Sequence, residues 1–227
     1  MKKPLRIGRG QIGALFIDFQ EEHRQDARYL VEHYGAVLAN AGRLQAAARR
    51  NAAPVYHCAY VVDMAGFSAP LHPVQPDGRS AFSDKNDPLT ALCHEVAPGP
   101  NERLLVKNQA SAFGAGSALG AQLKAAGMPW LAVCGVWTEA CVAASVHDAI
   151  RLGLRVLLVK DACGSGSGAM HQTGILNLAN RLYGGAVVDT GAACRLLDGQ
   201  TVDAWQVQGA VPLRYTWADA AELYRAL

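Results

Sequence analysis

Leu131-Ala-Val-Cys-Gly-Val-Trp-Thr-Glu-Ala-Cys141 reads as a buried strand that runs straight into a helix. Thr138 stands three residues before Cys141, where an N-cap belongs, so Cys141 falls near the third position of that helix. A thiol there meets the positive end of the helix dipole and N–H groups without partners. Both favour the thiolate, which is the nucleophilic form. The stretch predicts a strand–helix unit and nominates Cys141 as a nucleophile in need of a base and a charge partner.

The same rhythm continues in both directions. Strands are expected at Gln11–Ile17, Pro54–Val62, Arg103–Lys107, Pro129–Gly135, Leu154–Lys160 and Gly185–Asp189. Helices are expected at Ala27–Asn51, Gly116–Ala126, Thr138–Leu152 and Ala169–Tyr183. Unbroken apolar strands such as Arg155-Val-Leu-Leu-Val-Lys160 imply burial on both faces, as in parallel sheets. The expectation is an α/β fold: a single three-layer domain over residues 1–227, its mostly parallel sheet doubly wound and six-stranded. Active sites of such sheets lie beyond the carboxyl ends of the strands. Asp18, Lys107, Gly135 and Asp161 all fall at or just after strand ends, so one mouth could hold them.

The chain has 227 residues, half of them apolar, and a formal net charge of +2. That is ample for a core without disulfides. It leaves no electrostatic footprint for nucleic acid or a membrane surface. Six cysteines are scattered with no CxxC pair, which points to free thiols in a reducing cytoplasm. No secretory leader or membrane span is legible. Met64–Pro100, with six prolines, is too long for an idle connection and is expected to act as a lid or a subunit contact. The aromatic tail after Leu197 is expected to dock.

Taken singly, each candidate has a plain explanation. Asp18 closing Ala-Leu-Phe-Ile-Asp fits an Asx turn or helix cap; Lys107 closing Leu-Leu-Val-Lys fits a snorkelling strand-end lysine. Brought to one face with Cys141 they acquire a joint chemistry. A carboxylate takes the thiol proton and later returns it to a leaving nitrogen, while an ammonium lowers the carboxylate's pKa and helps hold a thiolate. His147, nearly two turns beyond Cys141, is too far along to serve as the base.

The chain resembles the isochorismatase-like cysteine hydrolases, a family that includes nicotinamidases and N-carbamoylsarcosine amidohydrolases. Ala14-Leu-Phe-Ile-Asp-Phe-Gln20, Gly135-Val-Trp-Thr-Glu-Ala-Cys-Val142 with Asp148-Ala149 and Gly153, and Val187-Val-Asp189 carry the likeness. Lys107-Asn-Gln-Ala-Ser-Ala-Phe113 is similar to the lysine motif of the N-carbamoylsarcosine branch. The resemblance implies Asp18 as general acid/base, Lys107 as electrostatic partner and Cys141 as nucleophile. It also implies a non-proline cis peptide at Val136–Trp137, with the N–H groups of Trp137 and Cys141 forming an oxyanion hole. Homodimers or homotetramers are usual for the family. Gln20, Ser111, Phe113, Trp137 and His171 are the expected substrate contacts, with Cys163 near the mouth and Cys134 an inert packing thiol. Glu21, Glu22 and Arg24 are expected on a solvated face.

Metal-binding relatives carry an Asp-x-His motif and a further histidine after the second strand. Here that region offers His57, Asp63 and His72 without such spacing, and His57 reads as a core histidine. No metal and no cofactor is expected. Cys163-Gly-Ser-Gly-Ser-Gly-Ala169, with Asp189 about twenty residues on, mimics a dinucleotide fingerprint. It follows the fifth expected strand rather than the first, and so reads as a turn and a helix start, one able to receive a substrate carboxylate. The expected function is cysteine-dependent hydrolysis of a C–N bond in a small amide or ureido compound, with water, through a thioester. The rival readings are an isochorismatase-type vinyl-ether hydrolase and a dinucleotide-binding oxidoreductase built on residues 164–169.

Overall fold

The computed structural model describes residues 2–66 and 71–227. The described strands are β1 (Lys2–Leu5), β2 (Ile12–Ile17), β3 (Val55–Tyr60), β4 (Arg103–Lys107), β5 (Trp130–Val136), β6 (Arg155–Gly164), β7 (Ala186–Val188) and β8 (Val202–Trp205). They form one sheet in the order β1-β8-β7-β6-β5-β2-β3-β4. The helices are α1 (Glu22–Gln25), α2 (Tyr34–Arg50), α3 (Leu119–Ala125), α4 (Ala143–Arg151), α5 (Gly168–Ala179), α6 (Thr190–Leu197) and α7 (Ala220–Ala226).

From β2 the chain steps outward through β3 to β4, then returns to the other side of β2 as β5 and proceeds to β6 and β7. The direction of winding therefore reverses between β2 and β5, the place where open α/β sheets form their binding crevice. Asp18 leaves the end of β2, and the Cys141 segment leaves the end of β5. Every residue of β2 and β5 is buried, because α2 covers one face while α4 and α5 pack on the sheet beside β6. Continuous apolar strands follow from burial on both sides.

The sheet has eight strands, two more than expected. β1 is Lys-Lys-Pro-Leu, without apolar alternation, and its proline is tolerated because the strand lies at the sheet edge. β8 is only four residues long and pairs antiparallel with both β1 and β7. The last helices, α6 and α7, also lay outside the expected set. At the opposite edge β4 leaves Leu104 and Val106 exposed.

The expected helix at 27–51 begins only at Tyr34. Residues 26–33 instead form a loop that closes on α1: Asp26 binds Arg28, the Val31 N–H donates to the His23 carbonyl, and His33 takes a left-handed φ of 55°. Residues 67–70 of the long connection lie outside the described residues. Its remainder folds back over the end of β3, with the Val62 N–H donating to the Ser83 carbonyl at 2.8 Å.

β2 and β5 meet closely at Gly135. It has φ +140°, and a Cβ there would stand 2.2 Å from the Ile17 carbonyl oxygen. No side chain fits that contact. Gly135→Ala is expected to cost about 3 kcal/mol or more, read as a lowered melting temperature. A variant that melts like the wild type would mean that the strands part without penalty.

Candidate active site

At the switch point Asp18 is 2% exposed and adopts a left-handed φ of 53°, a conformation aspartate tolerates better than most residues. Lys107 lies two strands away on β4, and its ammonium reaches Asp18 Oδ2 at 2.6 Å. It also donates to the Gln109 carbonyl at 3.1 Å and sits over the Tyr60 ring at 4.7 Å. The other carboxylate oxygen, Asp18 Oδ1, is buried with no hydrogen-bond partner. The Cys141 thiol stands near enough that thiol and carboxylate shift each other's protonation.

Burial pushes the Asp18 carboxyl above its usual range, and Lys107 offsets only part of that rise. The Asp18 charge in turn holds the Lys107 ammonium protonated against burial. Burial, with the Asp18 charge second, pushes the Cys141 thiol up to about 12. The resting cysteine is therefore a thiol beside a buried carboxylate. This corrects the expectation drawn from a helix start. Thr138–Val142 is a π turn preceding α4, and Thr138 does not cap it. The Thr138 hydroxyl donates instead to the Gly164 carbonyl at 3.0 Å. Within the turn, the N–H groups of Ala140 and Val142 both donate to the Trp137 carbonyl. The Val136–Trp137 peptide is cis.

A cavity of about 480 Å³ opens over Asp18 and Cys141. Tyr29, Tyr60, Phe82 and Trp137 make its walls aromatic, and Glu22 and His23 supply polar groups. Of the expected substrate contacts, Trp137 and Gln20 line it. Gln20 is fully buried, and its amide is spent on the ends of β3 and the loop: Nε2 donates to the Tyr60 and Thr90 carbonyls and Oε1 accepts from the Tyr60 N–H, each at 2.9 Å. It fastens the wall rather than the ligand. Ser111 and Phe113 are not among the lining residues. Ser111 Oγ caps its own turn, accepting from the Phe113 N–H at 3.1 Å, and Phe113 packs against the core.

His171 also lies outside this cavity. A threonine hydroxyl has one proton, and Thr138 gives it to Gly164, so His171 Nδ1 donates to Thr138 Oγ1 at 2.8 Å. His171 Nε2 then accepts from the Tyr224 hydroxyl at 3.0 Å. Burial lowers the His171 pKa to about 4. Its unfolded counterpart titrates near 6.5, so as pH falls the unfolded chain takes up the proton first. Stability is present above about pH 6.5 and is lost toward about pH 4, by up to about 3 kcal/mol. His171→Gln is expected to flatten the decline of Tm across that interval; an unchanged slope would remove His171 as its source.

Other expectations are revised as well. Asp161 is turned away from the mouth, accepting from the Thr190 N–H and hydroxyl at 2.7 and 2.8 Å. Asp189 caps α6, accepting from the Ala192 N–H at 2.7 Å. In the glycine-rich loop, a Cβ on Gly164 would stand 2.7 Å from Val31 Cγ1, and one on Gly166 2.8 Å from the Trp137 ring. Those glycines serve packing. The N-terminus of α5 already receives the Glu32 carboxylate at the Gly168 N–H and the Ser167 hydroxyl at the Met170 N–H. A substrate carboxylate there would have to displace Glu32. Glu21 and Arg24 pair on the surface as expected. Glu22 does not join them, being only 6% exposed. His57 is a core histidine bound to Glu102 at 2.9 Å and stacked on Phe16. Among the described residues no three His, Cys, Asp or Glu side chains gather as a metal site.

A family model described as the isochorismatase domain matches residues 13–192. The chain belongs to the isochorismatase family. Within it, the chain is 51% identical over 90 residues to a streptothricin hydrolase from Streptomyces noursei, covering 39% of this chain and 32% of that protein. It is 34% identical over 103 residues to a maleamate amidohydrolase from Pseudomonas putida, covering 45% and 47% respectively. The chain thus spans about a third to a half of the length of these curated relatives. The crystal structure of a cysteine hydrolase from Pseudomonas syringae pv. phaseolicola superposes with a TM-score of 0.75 at 19% identity, covering 87% of this chain and 99% of that one. That likeness is one of fold. No helix of this isochorismatase-family chain among the described residues is long and apolar enough to cross a membrane.

Proposed function

We propose that this isochorismatase-family protein hydrolyses a C–N bond of a small amide or ureido compound, with Cys141 as nucleophile. The observation that carries the reading is Asp18 Oδ1, buried with no hydrogen-bond partner while Lys107 occupies Oδ2, on a carboxyl close enough to the Cys141 thiol that each shifts the other's protonation. An acceptor left unsatisfied inside a protein needs an explanation, and a base waiting for the thiol proton supplies one. Asp18 Oδ1 takes that proton as Sγ attacks the substrate carbonyl carbon. The N–H groups of Trp137 and Cys141 receive the oxyanion. Asp18 then passes the proton to the departing nitrogen, the C–N bond breaks, and a thioester remains on Cys141. Asp18 deprotonates water, which attacks the thioester, and the proton returns to the sulfur as the acid leaves.

Lys107 opposes the burial-driven rise of the Asp18 pKa without sharing the oxygen that works. With the thiol pushed up to about 12, proton removal and attack proceed together rather than from a standing thiolate. The aromatic walls of the cavity suit a flat or apolar substrate body.

A panel of small amides and ureides, assayed for ammonia release by the wild type and by Cys141→Ala, tests the reading. Release confined to the wild type supports it. Release from no member, or conversion of an enol ether such as isochorismate alone, would overturn it.

A further inference from the structure

Away from Cys141 the same cavity holds a carboxylate that the hydrolysis does not use. Glu22 lines the cavity at 6% exposed. Ser83 fixes it twice, with its N–H donating to Oε2 at 2.9 Å and its hydroxyl to Oε1 at 2.6 Å. Ser83 adopts a left-handed φ of 51° and belongs to the long connection, so a distant segment is folded in to aim one side chain. Two donors leave a carboxylate with further lone pairs to satisfy.

The charges around it leave Glu22 uncompensated. Asp18 and Lys107 neutralise each other. Arg28 also lines the cavity, but its guanidinium is committed to Asp26 at 2.6 Å and rests on the Tyr29 ring. His23 Nε2 lies 3.9 Å from Glu22 Oε1, and burial keeps that imidazole neutral by lowering its pKa. His23 Nδ1 lies 3.2 Å from the Tyr29 carbonyl oxygen and 3.3 Å from the Trp137 indole nitrogen. Burial pushes the Glu22 carboxyl above its usual range, Ser83 offsets part of that rise, and the Asp26 and Asp87 charges add to it. A group with acidic neighbours and aromatic walls favours an N–H-bearing cation over an anion.

We propose that Glu22 determines the specificity of this site, accepting hydrogen bonds from an ammonium or amidinium group at the distal end of the substrate. The substrate class is then a cationic amide, and amides bearing a carboxylate, N-carbamoyl amino acids among them, are disfavoured. The inference rests on the amide-hydrolysing reading of Cys141, and its test is arranged to be separable from that reading.

Three benzamides of similar size serve as probes: 4-(aminomethyl)benzamide, 4-methylbenzamide and 4-carbamoylbenzoate. Calorimetry on the Cys141→Ala protein reads binding without turnover. The expected ranking is the ammonium probe about tenfold tighter than the methyl probe and on the order of a hundredfold tighter than the carboxylate. Glu22→Gln should collapse these ratios to within about threefold. Equal affinities, a tighter carboxylate, no binding of any probe, or a ranking that persists in a folded Glu22→Gln protein would each overturn the proposal. If Glu22→Gln fails to give a cooperative melt, the ranking in the Cys141→Ala protein decides alone. Failure of the wild type to release ammonia from any amide would sink the reaction reading and leave this ranking legible.

Discussion

Cys141→Ala is expected to lower amide turnover by on the order of 10⁴-fold or more, since residues acting as one catalytic unit fail together. The variant should keep its fold. Cys141 lies in a π turn at the cavity wall, half-buried rather than in the core, and the turn is held by backbone bonds to the Trp137 carbonyl. Cys141→Ser is expected to be nearly as inactive. A serine hydroxyl is a far weaker acid than a thiol, so a carboxylate base cannot activate it to the same extent. Steady-state ammonia release, with a melting curve for each variant, checks both statements. Turnover near the wild-type rate in Cys141→Ala would transfer the chemistry to Asp18 and water alone.

The second large effect concerns the buried ion pair. Asp18→Asn removes the proton acceptor and should lower kcat by about 10²- to 10⁴-fold. Lys107→Met leaves Asp18 in place but strips its counter-charge, which is only 2.6 Å away. Breaking one side of a buried pair costs about 3–5 kcal/mol of stability, so the melting transition should drop markedly. The pH profile provides the sharper readout. Burial already raises the Asp18 pKa, and Lys107 opposes that rise. Without Lys107 the carboxyl stays protonated to higher pH, and the acid limb of kcat/KM should move up by on the order of one unit or more. The direction matters: residual activity should recover as pH increases. An acid limb that stays put, or moves down, would show that Lys107 does not act through Asp18.

The central sheet was legible because its strands are apolar on both faces and separated by helical segments of ordinary length. β2 and β5 could be placed from their residues, and with them the exits of Asp18 and Cys141. β1 and β8 were not legible, being four residues each, with their pairing set by antiparallel contacts far apart in the chain. The meeting of Asp18 and Lys107 was anticipated from strand ends. The protonation of Cys141 was not, since a helix-start argument from spacing takes no account of how deeply the thiol lies or of the carboxylate beside it.

The cavity wall was the least legible part. Tyr29 sat inside a segment whose alanines and leucines suggested a continuous helix, and Phe82 and Ser83 sat in a connection with no periodicity. Glu22 was hidden between Glu21 and Arg24, which do pair on the surface. Only the fold distinguishes it, by bringing Ser83 against it from 61 residues away. One signal in the sequence was available: the conspicuous length of Met64–Pro100, which marked that connection as functional without saying which of its residues reach the site.

The most direct test of the account follows Cys141 itself during turnover. Acid-quenched wild-type protein, digested and mapped by mass spectrometry, should carry the substrate's acyl group on the peptide containing Cys141. Added hydroxylamine should divert product from the acid to the hydroxamate. Product acid that accumulates with Cys141 unmodified throughout, and with no hydroxamate formed, would contradict a thioester on this cysteine.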